Sequence, residues 1–168
     1  HPDKIAPDRA LKLHVMYENP PDISHLKYNP IAWPVDLLKS PKTSQIVGFL
    51  MRRVTKMRPL HEVYNPKTRR EQLPFFDYYG LHRTARNLAA AVGILHAKGY
   101  VIGDVNESNI LVSDRALIAL VDTDSFQVRD KQRQVTYRCP VGKAEFTPAE
   151  LQGERFDTID RSPEHDLF

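Results

Sequence analysis

The chain has 168 residues, 41% of them hydrophobic, and its 24 basic and 21 acidic side chains leave a net charge of +3. That length and apolar content fit one ordinary domain with a real core and exclude a disordered chain, and the small charge argues against nucleic-acid binding through bulk electrostatics. A single cysteine, Cys139, excludes an internal disulfide framework and fits a reducing, cytoplasmic compartment; no apolar run of about 18 residues could span a membrane, and the charged, proline-rich first residues are unlike a signal peptide.

The run APDRALKLHVMYENPP carries a proline and an aspartate at its start and apolar positions at Ala10, Leu11, Val15 and Met16. It predicts a short helix, stopped by Pro20 and Pro21. IAWPVDLL and QIVGFLMRRV read as two strands separated by a polar KSPKTS turn. Residues 55–74 are basic and proline-punctuated, a surface connection with one helical turn around PLHEVY. Their Lys67, Arg69 and Arg70 read as solvated charge rather than a phosphate site. The strongest helical pattern is DYYGLHRTARNLAAAVGILHAKG, in which Leu81, Ala85, Leu88, Val92 and Leu95 recur at helical spacing. Asp77 suits its N-cap and Gly99 its C-terminal stop. Two apolar runs, 110–112 and 117–121, are joined by SDRA and predict a hairpin. Residues 125–153 are irregular and rich in turn formers, a long loop of the kind usually tied to function. This order gives an α+β domain in two unequal parts.

Asp104 falls in the loop after the long helix, Asn109 begins the first hairpin strand and Asp122 ends the second. A hairpin sets the start of one strand beside the end of its partner, so Asn109 and Asp122 come close, with Asp104 on the adjacent loop. Two oxygen ligands at that spacing suit Mg²⁺, which completes its shell with phosphate and water. A third carboxylate off the metal can accept a proton from a hydroxyl nucleophile. Singly, each residue reads as an ordinary turn former; the three together, flanked by apolar strands, read as a site.

GYVIGDVNESNILV and VDTDSFQV resemble the catalytic core of a protein kinase, with its loop H-R-D-x-x-x-x-N and its metal motif D-F-G. Downstream, FTPAEL resembles the A-P-E motif, with Glu150 as its acid, and SPEHDLF resembles the start of the next helix, with Asp166 as its buried aspartate. The resemblance implies a two-lobed protein-kinase-like α+β fold, here incomplete. An N-lobe remnant covers residues 1–54, and residues 55–168 form the first half of the helical C-lobe. It implies ATP and Mg²⁺ as cofactors, Asp104 as catalytic base, and Asn109 and Asp122 as metal ligands. It makes Met51 the residue entering the hinge, sets the backbone of Arg52 to Val54 against adenine, and lines the nucleotide pocket with Leu111 and Val121. Glu18 falls where the helix glutamate that pairs with the ATP lysine would lie, and equally where this helix ends. With CPVGKAEFTPAELQG and PEHDLF, the chain is more narrowly similar to a bacterial kinase-like family. Its members can add a helix-hairpin-helix DNA-binding domain, so nucleic acid is expected only through a separate domain.

The chain departs from the family at several positions. The Gly-rich phosphate loop and the lysine-bearing strand do not occur in it, and His1-Pro2-Asp3 falls where that strand would have just ended. The chain therefore reads as the middle of a kinase domain, expected to bind ATP poorly by itself, with no helix to hold Asp166 against the catalytic loop. Ile102 and Gly103 replace the loop histidine and arginine, which argues against activation gated by a phosphate. Asn106 stands where a lysine usually stabilises the transferring phosphoryl. Asp124 replaces the mobile glycine, and Ala149 a proline. Three readings stay open: a Ser/Thr protein kinase, a small-molecule phosphotransferase, and a pseudokinase that binds partners without catalysis. The retained Asp104, Asn109 and Asp122 favour phosphoryl transfer, and EFTPAEL with EHDLF favours a protein substrate.

Overall fold

Helix α1 (Pro7–Glu18) opens the computed structural model, which describes residues 7–168; His1-Pro2-Asp3 lie outside the described residues. Leu13, Val15 and Met16 form its buried stripe. The Asn19 side chain donates to Val15 O (2.9 Å) and so closes its last turn ahead of Pro20 and Pro21. Trp33 Nε1 donates to Met16 O (2.9 Å), which ties the helix end to the strand lead-in. Strands β1 (Pro34–Lys39) and β2 (Ile46–Met51) pair antiparallel as a two-stranded sheet.

Both strands are shorter than their apolar runs. The backbone around Ile31 pairs elsewhere: Ala32 N donates to Leu120 O (2.9 Å) and Leu120 N to Pro30 O (2.8 Å). Arg52 to Val54 continue beyond β2 without a strand partner.

The expected connector holds more structure than its composition conveyed. It forms β3 (Met57–Pro59), α2 (Leu60–Tyr64) and α3 (Pro66–Gln72). Asn65 caps α3 by accepting from Lys67 N (3.0 Å) and Thr68 N (3.2 Å), with Pro66 at the first helical position. Arg69 and Arg70 turn back onto the carbonyls of Val63 and Pro66, so much of this basic cluster serves local capping.

Helix α4 (Tyr78–Lys98) forms as its period predicts. Asp77 accepts from Gly80 N (2.9 Å), and Gly99 ends the helix in the left-handed region (φ 90°), where only glycine is unstrained. Strands β4 (Ile110–Ser113) and β5 (Ile118–Leu120) make the expected hairpin, and β3 adds a third strand in the order β3-β4-β5. The long loop is also more regular than expected. It contains the hairpin β6 (Val128–Asp130) and β7 (Val135–Tyr137), closed by Asp130 accepting from Gln132 N and Arg133 N, followed by short 3₁₀ turns. Trp33 packs against Tyr100 (4.7 Å between ring centroids) and Phe126 (6.5 Å), joining α1, α4 and the hairpin region into one core. Among the described residues no helix is long and apolar enough to cross a membrane.

Candidate active site

The loop after α4 is fixed before it reaches Asp104. Val101 and Gln127 exchange backbone hydrogen bonds (3.2 and 2.8 Å). Ile102 N and Gly103 N then donate to the two carboxylate oxygens of Asp166, at 2.7 and 2.8 Å. Asp166 sits in the 3₁₀ turn Pro163–Leu167, is 7% exposed, and meets His96 Nε2 of α4 at 2.8 Å. The expectation that Asp166 is unheld is thereby corrected: a hydrogen-bonded turn with Pro163 in its first positions presents the carboxylate to the loop.

Asp104 Oδ2 accepts from Asn109 Nδ2 (3.2 Å), and its Oδ1 is buried without a hydrogen-bond partner among the described residues. Buried acceptors are normally satisfied, so this lone pair is available to a donor from outside the chain. Asn106 is buried and shapes the loop, accepting from Ser108 N (3.0 Å) and donating to Asp104 O (3.3 Å). Asn109 O accepts from Val121 N (2.9 Å), which sets Asn109 beside the residue that follows, Asp122.

Asp122 adopts φ 57°, ψ 35°, the left-handed region that a non-glycine residue enters at a cost of roughly 1 kcal/mol or more. The turn after it compensates. Ser125 donates to Asp122 O through N (3.0 Å) and Oγ (2.8 Å), and buried Thr123 Oγ1 donates to Ala32 O (2.8 Å). Burial raises the Asp122 carboxyl above the usual range, and the negative charges of Asp124 and Asp104 push it further. A hard divalent cation relieves that repulsion. Among the described residues no group of three or more His, Cys, Asp or Glu side chains forms a metal cage. The donors present, one or two carboxylates with an amide oxygen, fit Mg²⁺ better than a metal needing a full protein shell.

Two cations of α1 reach this acidic corner, and sequence reasoning missed both. Arg9 forms an ion pair with Asp124. Lys12, 6% exposed, lines an open cavity of about 630 Å³ together with Arg9, Asp122 and Asp124. Burial pulls its ammonium down to about 8, against the opposing pull of Cys139 and Asp124. The i,i+3 spacing of Arg9 and Lys12 was the available signal. Glu18 instead sits on the exposed end of α1, 3.4 Å from His14.

The residues expected around adenine are not gathered in one cavity. Val121 lines a mostly apolar cavity of about 230 Å³ with Asp104, Asn109, Leu88 and Val92. Leu111 lies in β4 opposite Pro59 and Ala119. Met51 ends β2 half-exposed, Val54 follows it partly buried, and Arg52 lines a different cavity with Tyr17, Trp33 and Pro34. Glu150 is exposed in the turn Ala149–Leu151, 3.9 Å from His165.

No family model matches the chain. Over 141 residues it is 35% identical to protein kinase YegI of Escherichia coli, in each of two strains; the match takes in 83% of this chain and 22% of the relative. The chain thus spans 22% of the length of the curated relatives it matches. Among solved structures, ROP2 from Toxoplasma gondii, described as a virulence factor with a protein-kinase fold and no enzymatic activity, matches with a TM-score of 0.58 at 20% identity. That match covers 95% of this chain and 47% of the other, and the likeness is one of fold.

Proposed function

We propose that this chain, a partial protein-kinase-like domain, carries the centre for ATP-dependent phosphoryl transfer to protein Ser/Thr hydroxyls. The observation that supports this most directly is the joining of Asp104, Asn109 and Asp122 across one loop and one hairpin. In this reading Asp104 orients the substrate hydroxyl and takes its proton at the unpartnered Oδ1. Asn109, whose amide nitrogen is committed to Asp104, offers its oxygen to the metal, and Asp122 offers its carboxylate. Mg²⁺, when bound, neutralises charge on the phosphates of ATP. Lys12 is the cation assigned to those phosphates. Met51, Arg52, Val54, Leu111 and Val121 are assigned to the adenine end, with residues 1–54 and 55–168 as the two lobes. A protein partner, a cytoplasmic setting, and nucleic-acid contact only through a separate domain belong to the same proposal.

A pseudokinase is the second reading, favoured by one feature. Arg9 already pairs with Asp124, and protein cations there compete with a metal for the same carboxylates. Titration of ATP into the full-length protein, with and without Mg²⁺, distinguishes the two when paired with a transfer assay. Asp122→Ala should remove the Mg²⁺-dependent part of binding. Asp104→Asn should leave binding in place and lower transfer by about 100-fold or more. Nucleotide binding with no transfer by the wild-type protein would establish the pseudokinase, and measurable transfer equal in wild type and Asp104→Asn would remove Asp104 from the mechanism.

A further inference from the structure

Arg161 stands in the run DRSPEHDLF, five residues before Asp166, and is 5% exposed. Its guanidinium reaches two loops at once. Nη1 donates to the carbonyl of Gly103, and Nη2 donates to Val141 O (2.8 Å). The group lies 4.0 Å over the Phe156 ring. No carboxylate of the described residues is within salt-bridge distance of it, so its charge is met by carbonyl dipoles and a ring face. Its main chain is fixed as well: Arg161 N donates to Gln127 Oε1 (2.8 Å), and Gln127 Nε2 donates to Arg161 O (2.7 Å). Gln127 is the residue whose backbone pairs with Val101 at the start of the catalytic loop.

Glycines make room for the guanidinium. Gly103 has φ 74°, and a β-carbon there would lie 2.7 Å from Arg161 Nη1 and 2.8 Å from Cys139 Cβ. A β-carbon on Gly142 would lie 3.1 Å from Arg161 Nη2. Gly103 is the position where H-R-D carries its arginine, so an arginine side chain at 103 and Arg161 cannot share this space.

We propose that Arg161 is a positioning residue that replaces the missing loop arginine from downstream, locking the catalytic loop to the segment around Cys139–Gly142 with no phosphate on that segment. The lock completes a grip on one stretch of backbone. Asp166 takes the N–H groups of Ile102 and Gly103 while Arg161 takes the Gly103 carbonyl, and Asp104 follows directly. Where a loop arginine waits for a phosphorylated segment, the loop is ordered by that modification. Here the protein supplies the ordering contacts itself. An apolar side chain could fill the same volume without burying a charge, but it could not donate to two carbonyls at once. The catalytic meaning of the lock rests on the phosphoryl-transfer reading above; the lock itself does not.

The test is a double-mutant cycle in the full-length protein with Gly103→Ala and Arg161→Ala, read by thermal melting and by amide exchange. Gly103→Ala should lower the melting temperature less in the Arg161→Ala background than in wild type, because the clash with the guanidinium is then gone while the contact with Cys139 and the left-handed φ remain. Arg161→Ala should speed exchange at residues 103–109 by about tenfold or more while the centre of α4 keeps its protection. Millimolar guanidinium should restore that protection. Arg161→Lys, which cannot span both carbonyls, should show the same exchange pattern if the alanine variant folds poorly. In transfer assays the variants should lose kcat at unchanged KM for ATP, again with rescue by guanidinium. Additive melting effects, or unaltered exchange at 103–109, overturn the proposal, as does protection there that rises when the segment is phosphorylated. A lock seen by cycle and exchange in a protein with no transfer at all upholds the positioning role and overturns the transfer reading instead.

Discussion

Asn109 Nδ2 lies 3.2 Å from Asp104 Oδ2, so the amide just before β4 holds the carboxylate of the loop after α4. The contact sets the orientation of Asp104. Asn109→Asp keeps an oxygen for a metal but removes the donor and sets a second negative charge beside Asp104. Like charges at that distance repel, so Asp104 loses the partner that orients it. If Asp104 serves as the proposed base, transfer should fall by about 100-fold or more. Transfer equal to wild type would show that the Asn109 amide does not position Asp104 for the reaction.

Asp166 takes two backbone N–H groups and His96 on one buried carboxylate. Asp166→Ala leaves all three donors without it, and each buried donor left unpaired costs about 1–3 kcal/mol. Asp166→Asn keeps one acceptor oxygen and should cost less. Urea unfolding of the two variants checks the order, and faster exchange at Ile102 and Gly103 locates the loss. Equal stability of the two variants would show that the acceptor oxygen kept by asparagine contributes nothing.

How much of this was legible depended on where each feature is encoded. Helix α4 and the β4–β5 hairpin were readable because their period, cap and turn residues lie within one window. Asp104, Asn109 and Asp122 were readable as a group because a hairpin converts their spacing into proximity. Strands β3, β6 and β7 were not, since three-residue strands are set by their partners rather than by a pattern of their own. The start of α3 was in view as Asn65-Pro66, a cap followed by a first-turn proline, and composition masked it. Lys12 hid among the polar positions of an amphipathic helix. Arg161 could not be read at all without the left-handed Gly103, 58 residues away in sequence, that leaves its guanidinium room.

Thr123 links the turn after Asp122 to the segment that leads into β1 by donating Oγ1 to Ala32 O (2.8 Å) from a 1% exposed position. Thr123→Val keeps the shape and strands a buried carbonyl, which costs about 1–3 kcal/mol. Thr123→Ser retains the hydroxyl and should lose less. The denaturation midpoint should fall for the valine variant with an unchanged slope against denaturant. A midpoint equal to wild type would mean that Ala32 O finds another donor.

Lys12 sets stability against binding. Burial brings its folded-state pKa to about 8, below the ordinary 10.5, with Cys139, Asp124 and Asp122 opposing that fall and Arg9 adding to it. The unfolded chain keeps the proton up to about 10.5. Between those two values the unfolded state binds more protons than the folded one, so this group makes stability rise with pH across that window. Below about 8 both states are charged, and the cost of the buried ammonium is present in full. Lys12→Met preserves most of the volume and removes that cost. It should raise the melting temperature at pH 7 and flatten this rise with pH. If Lys12 also meets the phosphates, the same variant loses a charge-assisted contact of about 1.5–3 kcal/mol, roughly ten- to a hundredfold in nucleotide affinity. A buried charge kept at the expense of stability is the pattern expected of a functional group. Melting curves from pH 6 to 10.5 and nucleotide titrations on the same two proteins read both effects. A less stable Lys12→Met at pH 7 would show that attraction to Asp124 and Asp122 outweighs burial, and a more stable variant with unchanged nucleotide affinity would remove Lys12 from the phosphate site.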